Sequence, residues 1–293
     1  MSAALPVRPA LYLTAAAACW GTGTVLSKQV LDRGIAPLTL LAVELVASCT
    51  LLFVIALARG SHWTLTRSTA KLTALGVLNP GVAYALGLWG LTYISASMSV
   101  LLWALEPVFI VALAVFVLRQ EAARVTVAAI AAAVVGVILI AYRPGLDIDS
   151  RGTALTLLAV LACAVYTVMT HKLMLDDASE VVVICQQAAA LVFAVILAAA
   201  AVVSGLTPPG LPVAPSTWLL AAGSGMVYYG LAFTFFVAGL RTVPAATAGT
   251  FLPLVPVFGL AAAFAAGDRL MTQQWLGALL VVTAAAAAVV RIR

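Results

Sequence analysis

The sequence predicts an all-α integral membrane protein: ten transmembrane helices arranged as two inverted-topology five-helix repeats around a central cavity. Three observations predict it. Of the 293 residues, 65% are hydrophobic and only 9% are charged, with a mean hydropathy of +1.17. A soluble domain carries about 25% charged residues, and this chain lacks the polar residues to cover a water-facing exterior. The apolar residues fall into ten stretches of bilayer-spanning length. The first five stretches and the last five share landmarks in the same order.

The stretches run over about 10–31, 37–58, 71–93, 95–118 and 124–142, then 152–173, 179–203, 216–240, 244–265 and 272–290. Each approaches the ~20 apolar residues that a helix needs to cross lipid. They are continuous runs, so they predict helices rather than barrel strands. The connections are short; the longest are 59–70, 143–151 and 204–215, the last marked by Pro208-Pro209-Gly210. None can house a soluble domain. Arg8 followed by an apolar stretch and Ala15-Ala16-Ala17 mimics a secretory leader. The first stretch has a counterpart in the second half, which predicts that it is kept.

Cys19 through Lys28 and Asp32 align with Cys163 through Lys172 and Asp176. Leu105-Glu106-Pro107-Val108-Phe109 aligns with Leu254-Val255-Pro256-Val257-Phe258, and Glu121 with Asp268. The expected repeats are residues 1–143 and 144–293. Each holds an odd number of spans, so the second enters the membrane in the opposite sense. Inverted repeats of this kind bind substrate near mid-membrane, between the halves.

Orientation follows from Lys and Arg placement. With the N-terminus in the cytoplasm, ten basic residues lie inside: Arg8, Arg59, Arg67, Lys71, Arg119, Arg124, Lys172, Arg241, Arg291 and Arg293. Five lie outside: Lys28, Arg33, Arg143, Arg151 and Arg269. Both termini are therefore expected in the cytoplasm, with the chain in the inner (plasma) membrane. The net charge of +5 is spread singly over loops rather than gathered into a basic run, which argues against nucleic acid as a partner. The expected partners are membrane lipid and a small-molecule substrate; oligomeric partners are left open.

Cys19, Cys49, Cys163 and Cys185 lie within apolar stretches without CxxC spacing and read as packing residues. There is no phosphate-binding GxxxxGK[ST] loop, no HExxH and no GxSxG elbow. With two histidines and no cysteine cluster, neither a metal nor another cofactor is expected, and an enzyme is not.

Residues at depth supply the candidate site. Glu106 sits mid-way along the fourth stretch. A carboxyl there is costly unless it faces a cavity or a partner. Pro107 removes a helix hydrogen bond and permits bending; Pro256 repeats this in the ninth stretch. Ser99, Trp103 and Glu106 share one helix face. The equivalent face of the ninth stretch carries Thr247, Thr250 and Leu254, of which Thr250 joins the candidates. Trp20, Tyr84, Trp89, Trp103, Tyr166, Tyr228 and Tyr229 lie deep. Trp63, Trp218, Trp275, Tyr12, Tyr93 and Tyr142 lie near span ends and read as an interfacial belt. Asn79-Pro80-Gly81 predicts a break in the third helix, and Gln186-Gln187 places amides at depth in the seventh.

The expected substrate-binding set is Trp20, Asn79, Tyr84, Ser99, Trp103, Glu106, Tyr166, Gln186, Tyr228 and Thr250. Glu44, Pro107, His171 and Pro256 are candidates for coupling or gating. Most have a structural alternative: aromatics fill helix–helix space, Glu106 caps a kink, Glu44 pairs with Lys28 or meets water near the outer face. A carboxylate, hydroxyls, an amide and aromatic rings without a buried Arg or Lys suit an amino acid or similar amphiphile better than a phosphorylated one.

The chain resembles the drug/metabolite transporter superfamily, specifically the ten-helix EamA-type permeases. The resemblance is carried by Ala18-Cys19-Trp20-Gly21 with Lys28, Ser95-Ala96, Glu106-Pro107-Val108-Phe109 and Glu121. In the second half it is carried by Tyr166, Lys172, Ala245-Ala246, Pro256-Val257-Phe258, Asp268 and Gly277. It spans both repeats. It implies a secondary transporter exporting small metabolites, with amino-acid exporters as one branch, and a cavity between the halves. Members often carry Arg in the middle of the second helix, where this chain has Glu44. Amino acids with aromatic or other apolar side chains, moved by alternating access, are the leading expectation. Efflux of lipophilic cations is the alternative within the class, and a non-transporting membrane scaffold the alternative outside it.

Overall fold

The structure is a computed structural model. It describes residues 7–60, 67–106, 108–110, 112–113, 131–132, 134–136, 139, 149–173, 180–205, 214–240, 251–252, 254–269 and 271–290. These residues are helical apart from turns and short links, and no strand occurs among them. Helix α1 spans Val7–Asp32 and α2 spans Pro37–Ala58. Helix α3 is built from Arg67–Gly76, a π-helical segment Val77–Val82, and Ala83–Leu91. Helix α4 starts with Ala96–Trp103, and helical residues among 131–139 mark α5. The second half repeats the series. Helix α6 is Ser150–Leu173, and α7 is Glu180–Val203. Helix α8 combines Pro215–Gly225, a π-helical segment Met226–Leu231, and Ala232–Leu240. Helices α9 and α10 are Leu254–Ala265 and Thr272–Val290.

Five described helical segments are long and apolar enough to cross a membrane: Pro37–Ala58, Thr69–Leu91, Ser150–Met169, Val181–Val203 and Pro215–Phe236. Their outward faces carry Phe53, Leu57, Val192, Ile196 and Leu219, all exposed, as expected of a surface solvated by lipid chains. Trp218, Trp275, Tyr12 and Tyr93 are also partly exposed. Trp89, counted among the deep rings, is 46% exposed and lies on the outer surface. Trp63 and Tyr142 fall outside the described residues.

The two halves interlock. Helix α1 packs along α9 and α8, while its counterpart α6 packs along α4 and α3. Helices α2 and α7 lie against each other. The closest crossings are made by glycine, which lets backbones approach where lipid supplies no hydrophobic drive. A Cβ on Gly225 would lie 2.4 Å from Glu44 Cα, and one on Gly76 would lie 2.6 Å from Gln186 Cα. Gly76 and Gly225 precede the two π segments by one residue. The α2–α8 and α3–α7 crossings are thus one joint used twice, as inverted repeats require.

Both π segments fall at the same place in their repeats. In α3 the break follows from Pro80, which lacks an N–H, and from Asn79, whose φ of −145° and ψ of 120° are not helical. In α8 the only proline is Pro215, at the first turn and far from the π segment, so the sequence carried no sign of the second break. There Gln187 Nε2 donates to Tyr229 O at 3.2 Å, satisfying a carbonyl of the π segment from the neighbouring helix. Helix α4 breaks too. Residues 104 and 105 form a turn directly before Pro107, and Leu105 N bonds Leu102 O at 3.0 Å. A proline at 107 leaves the carbonyl four residues earlier, on Trp103, without its helical donor. Residues 251 and 252 also form a turn, shortly before α9 begins at Leu254.

Candidate functional site

The breaks in α3, α4 and α8 bring aromatic rings together in the middle of the bundle. Tyr84 follows the π segment of α3, and Tyr228 and Tyr229 lie within that of α8. The Tyr84 ring centroid lies 5.4 Å from Trp103, 5.3 Å from Tyr228 and 4.8 Å from Tyr229. Gly87 gives Trp103 its room: a Cβ there would meet the indole at 3.2 Å. Trp20, on α1, packs edge-on against Phe233 and Phe236 at 5.5 and 5.2 Å and borders the same cluster. These centroid distances and tilted planes are those that aromatic quadrupoles favour.

Glu106 stands beside this group. Its Oε1 accepts a hydrogen bond from the Cys163 thiol at 3.2 Å, and the Thr167 hydroxyl, one turn on, donates to Cys163 O at 3.0 Å. Glu106, Trp103, Trp20 and Tyr166 are only half-buried, so each keeps a face that protein does not cover. Tyr166 O–H donates to Gln186 Oε1 at 2.8 Å, and Gln186 Nε2 donates to Leu72 O at 3.1 Å. Gln186 thus ties α6 to α3.

The other candidates separate. Ser99 is 1% exposed and fully packed. Asn79 is buried within the π segment, its Oδ1 without a hydrogen-bond partner. Pro256 is buried. Pro107, Thr250 and the side chain of His171 lie outside the described residues. Glu44 pairs neither with Lys28 nor with water: it is 0% exposed. Ser27 Oγ and Ser224 Oγ each lie 2.6 Å from its Oε1, while Lys28 Nζ bonds Asp32 at 2.9 Å. Sequence reasoning missed the role of Cys163, set aside as packing. It precedes Tyr166 by three residues, hence shares its helix face. It also missed Ser27 and Ser224, whose small hydroxyls carry no depth signal.

A cavity of about 380 Å³ opens at the Lys28 end of the bundle, lined by Lys28, Gln29, Asp32, Tyr93, Ser95 and Asp268 among others. One wall is a joint between the repeats. Gly267, at φ +110°, closes α9 with bonds from Gly267 N to Phe264 O and Asp268 N to Ala263 O, the pattern a left-handed glycine permits at a helix end. That turn delivers Asp268 to the start of α4, where its Oδ2 accepts from Ser97 N at 3.2 Å and Ser97 Oγ at 2.7 Å. Ser95 caps the same turn, accepting from Met98 N. A carboxylate at a helix N-terminus satisfies free N–H groups and complements the dipole. By helical rise the cavity wall at Ser95 lies roughly 16 Å along α4 from Glu106, so it is an approach to the aromatic group rather than part of it.

The EamA-like transporter family model matches residues 7–142 and again 150–290. The chain belongs to the EamA-like transporter family. Two tandem matches to one model account for the doubled joint, the doubled π break and the ten-helix, two-repeat architecture of a membrane transporter. Among solved structures, one described simply as a crystal structure of a protein superposes with a TM-score of 0.67. It covers 96% of each chain at 19% identity, a likeness that speaks to the fold of this EamA-like chain alone. Among curated proteins no relative matches.

Proposed function

We propose that this EamA-like transporter is a secondary carrier that exports amino acids, or closely similar zwitterionic metabolites, by alternating access from the inner (plasma) membrane, with both termini in the cytoplasm. The observation that supports it is the half-buried Glu106 carboxyl beside the Trp103–Tyr84–Tyr228 rings. Glu106 would receive the substrate ammonium, and the rings would receive an apolar or aromatic side chain and add cation–π attraction. Tyr166 and Gln186, bonded to each other, would present polar edges to the carboxylate end. The cavity at the Lys28 end would serve as the exit, and the kink before Pro107 would let the lower part of α4 tilt.

The same carboxyl and rings favour a second reading, efflux of lipophilic cations, which need no partner for a carboxylate. Counterflow in proteoliposomes against a panel of aromatic and aliphatic amino acids and lipophilic cations separates the two. Amino-acid counterflow is expected. Glu106→Gln should raise the apparent KM about ten- to a hundredfold, since hydrogen bonds to charged groups contribute roughly 1.5–3 kcal/mol. Trp103→Ala should weaken aromatic substrates more than small ones. Counterflow of cations alone would move the assignment to the second reading; wild-type kinetics in both variants would remove this site.

A further inference from the structure

We propose that Glu44 is the proton-binding site of this carrier: a neutral carboxylic acid in the state seen here, which gives up its proton as helices α1, α2 and α8 separate, so that proton entry drives substrate export. This rests on the transport reading above and adds the coupling ion to it.

The first support is hydrogen bookkeeping. Ser224 Oγ lies 2.6 Å from Glu44 Oε1 and 2.9 Å from Ala221 O. A hydroxyl has one hydrogen to donate, and the Ala221 carbonyl can only accept. If Ser224 donates to Ala221, its contact with Glu44 must be donated by the carboxyl O–H. Ser27 Oγ then donates to Glu44 Oε1 at 2.6 Å, and every hydrogen has one acceptor. With an ionised carboxylate, one of the Ser224 contacts would lack a hydrogen. Oε2 also has no partner. A bare carbonyl oxygen is tolerable in a dry interior, whereas a bare half of a carboxylate is far less so.

The surroundings supply no compensating cation among the described residues. Helix α1 brings Lys28, whose ammonium is held by Asp32. Helix α8 brings Tyr228 and Tyr229, both within electrostatic range of Glu44. Helix α3 brings Tyr84, packed edge-on to Tyr228 and tilted against Tyr229, and α7 brings the uncharged Gln187, bonded to Ser48.

The second support is position. Glu44 lies where the repeats cross, with its backbone against Gly225 and its carboxyl between Ser27 of α1 and Ser224 of α8. Ionisation there needs water, and water can enter only if the three helices part. Proton loss therefore requires the joint to open, whereas the joint can open with the acid still neutral. Tyr228 accepts from Thr24 of α1 at 3.2 Å and packs against Tyr84 at 5.3 Å, so the rings beside Glu106 run on to the α1–α8 side of the joint. The balance is one proton taken from the outer water onto the Glu44 carboxylate, and the same proton released to the cytoplasm when substrate is next loaded.

Two measurements test this. Infrared difference spectra of wild type minus Glu44→Gln in detergent at neutral pH should show the carbonyl stretch of a neutral carboxylic acid; a carboxylate band instead overturns the proposal, whatever the protein transports. In proteoliposomes, an acidic lumen should drive uphill uptake of the counterflow substrate in wild type. Glu44→Gln, the closest mimic of the neutral acid, should keep counterflow and lose at least tenfold of the pH-driven accumulation. Retained pH-driven accumulation in Glu44→Gln overturns the coupling, as does wild-type counterflow with no response to the gradient. Absence of counterflow for every substrate tested overturns the transport reading and the coupling with it, while the infrared band still reports whether the acid is neutral.

Discussion

Glu106 and Glu44 are both intramembrane glutamates, and their surroundings make them different groups. Glu106 keeps an open face, with a thiol as its hydrogen-bond partner. A weak thiol donor leaves a carboxyl free to exchange partners, which suits a site that must release what it binds. Glu44 is sealed, with two serines at 2.6 Å. Removing one partner of a buried polar group costs about 1–3 kcal/mol. Ser224→Ala should therefore lower the thermal midpoint of the detergent-solubilised protein by that equivalent, and Ser27→Ala should do likewise. An unchanged midpoint in both would mean that the serines do not hold Glu44. Glu106 could be read from its depth and its neighbouring proline. Cys163, Ser27 and Ser224 could not, because small residues look alike in sequence whether they pack or bond.

At the scale of the helix, three breaks do most to shape the site. Proline announces those in α3 and α4, while the one in α8 is imposed by packing, with Gln187 of α7 holding the Tyr229 carbonyl. The glycine crossings fix how closely the broken helices meet. Gly225→Ala would place a methyl group 2.3 Å from Glu44 O, and Gly76→Ala one 2.1 Å from Gln186 O. Backbone cannot yield as a side chain does, and overpacking of this kind costs about 1–3 kcal/mol or more. Gly223→Ala is the control, since nothing lies within 4 Å of a Cβ there. Loss of thermal stability at 225 and 76, with none at 223, is the expected pattern. Equal behaviour of all three would mean that α8 does not cross α2 at this point.

Across the whole molecule, the two repeats are joined at the α2–α8 and α3–α7 crossings, at α1 with α9, and at the Asp268–Ser97 link. Such a molecule should be wet at its centre and sealed at its joints. In a background without the four native cysteines, Cys at 103 and 106 should react with a membrane-impermeant thiol reagent, and Cys at 99 should not while the structure holds this state. Reporters at the two ends of the chain should fall on the same side of the membrane. A dry 106, or reporters on opposite sides, would contradict the architecture. By itself, the sequence determined the membrane class, the helices and their doubling, because lipid forces backbone hydrogen bonds within each helix and length then follows from bilayer thickness. It also marked Glu106, the Asn79-Pro80-Gly81 break and the aromatic residues at depth. Only the tertiary structure decided which deep residues meet. It turned Trp89 to the surface, packed Ser99, sealed Glu44 between serines of two repeats and opened a second π break without a proline. The physical reason is that depth is a property of one helix, whereas facing and sealing depend on how neighbouring helices cross.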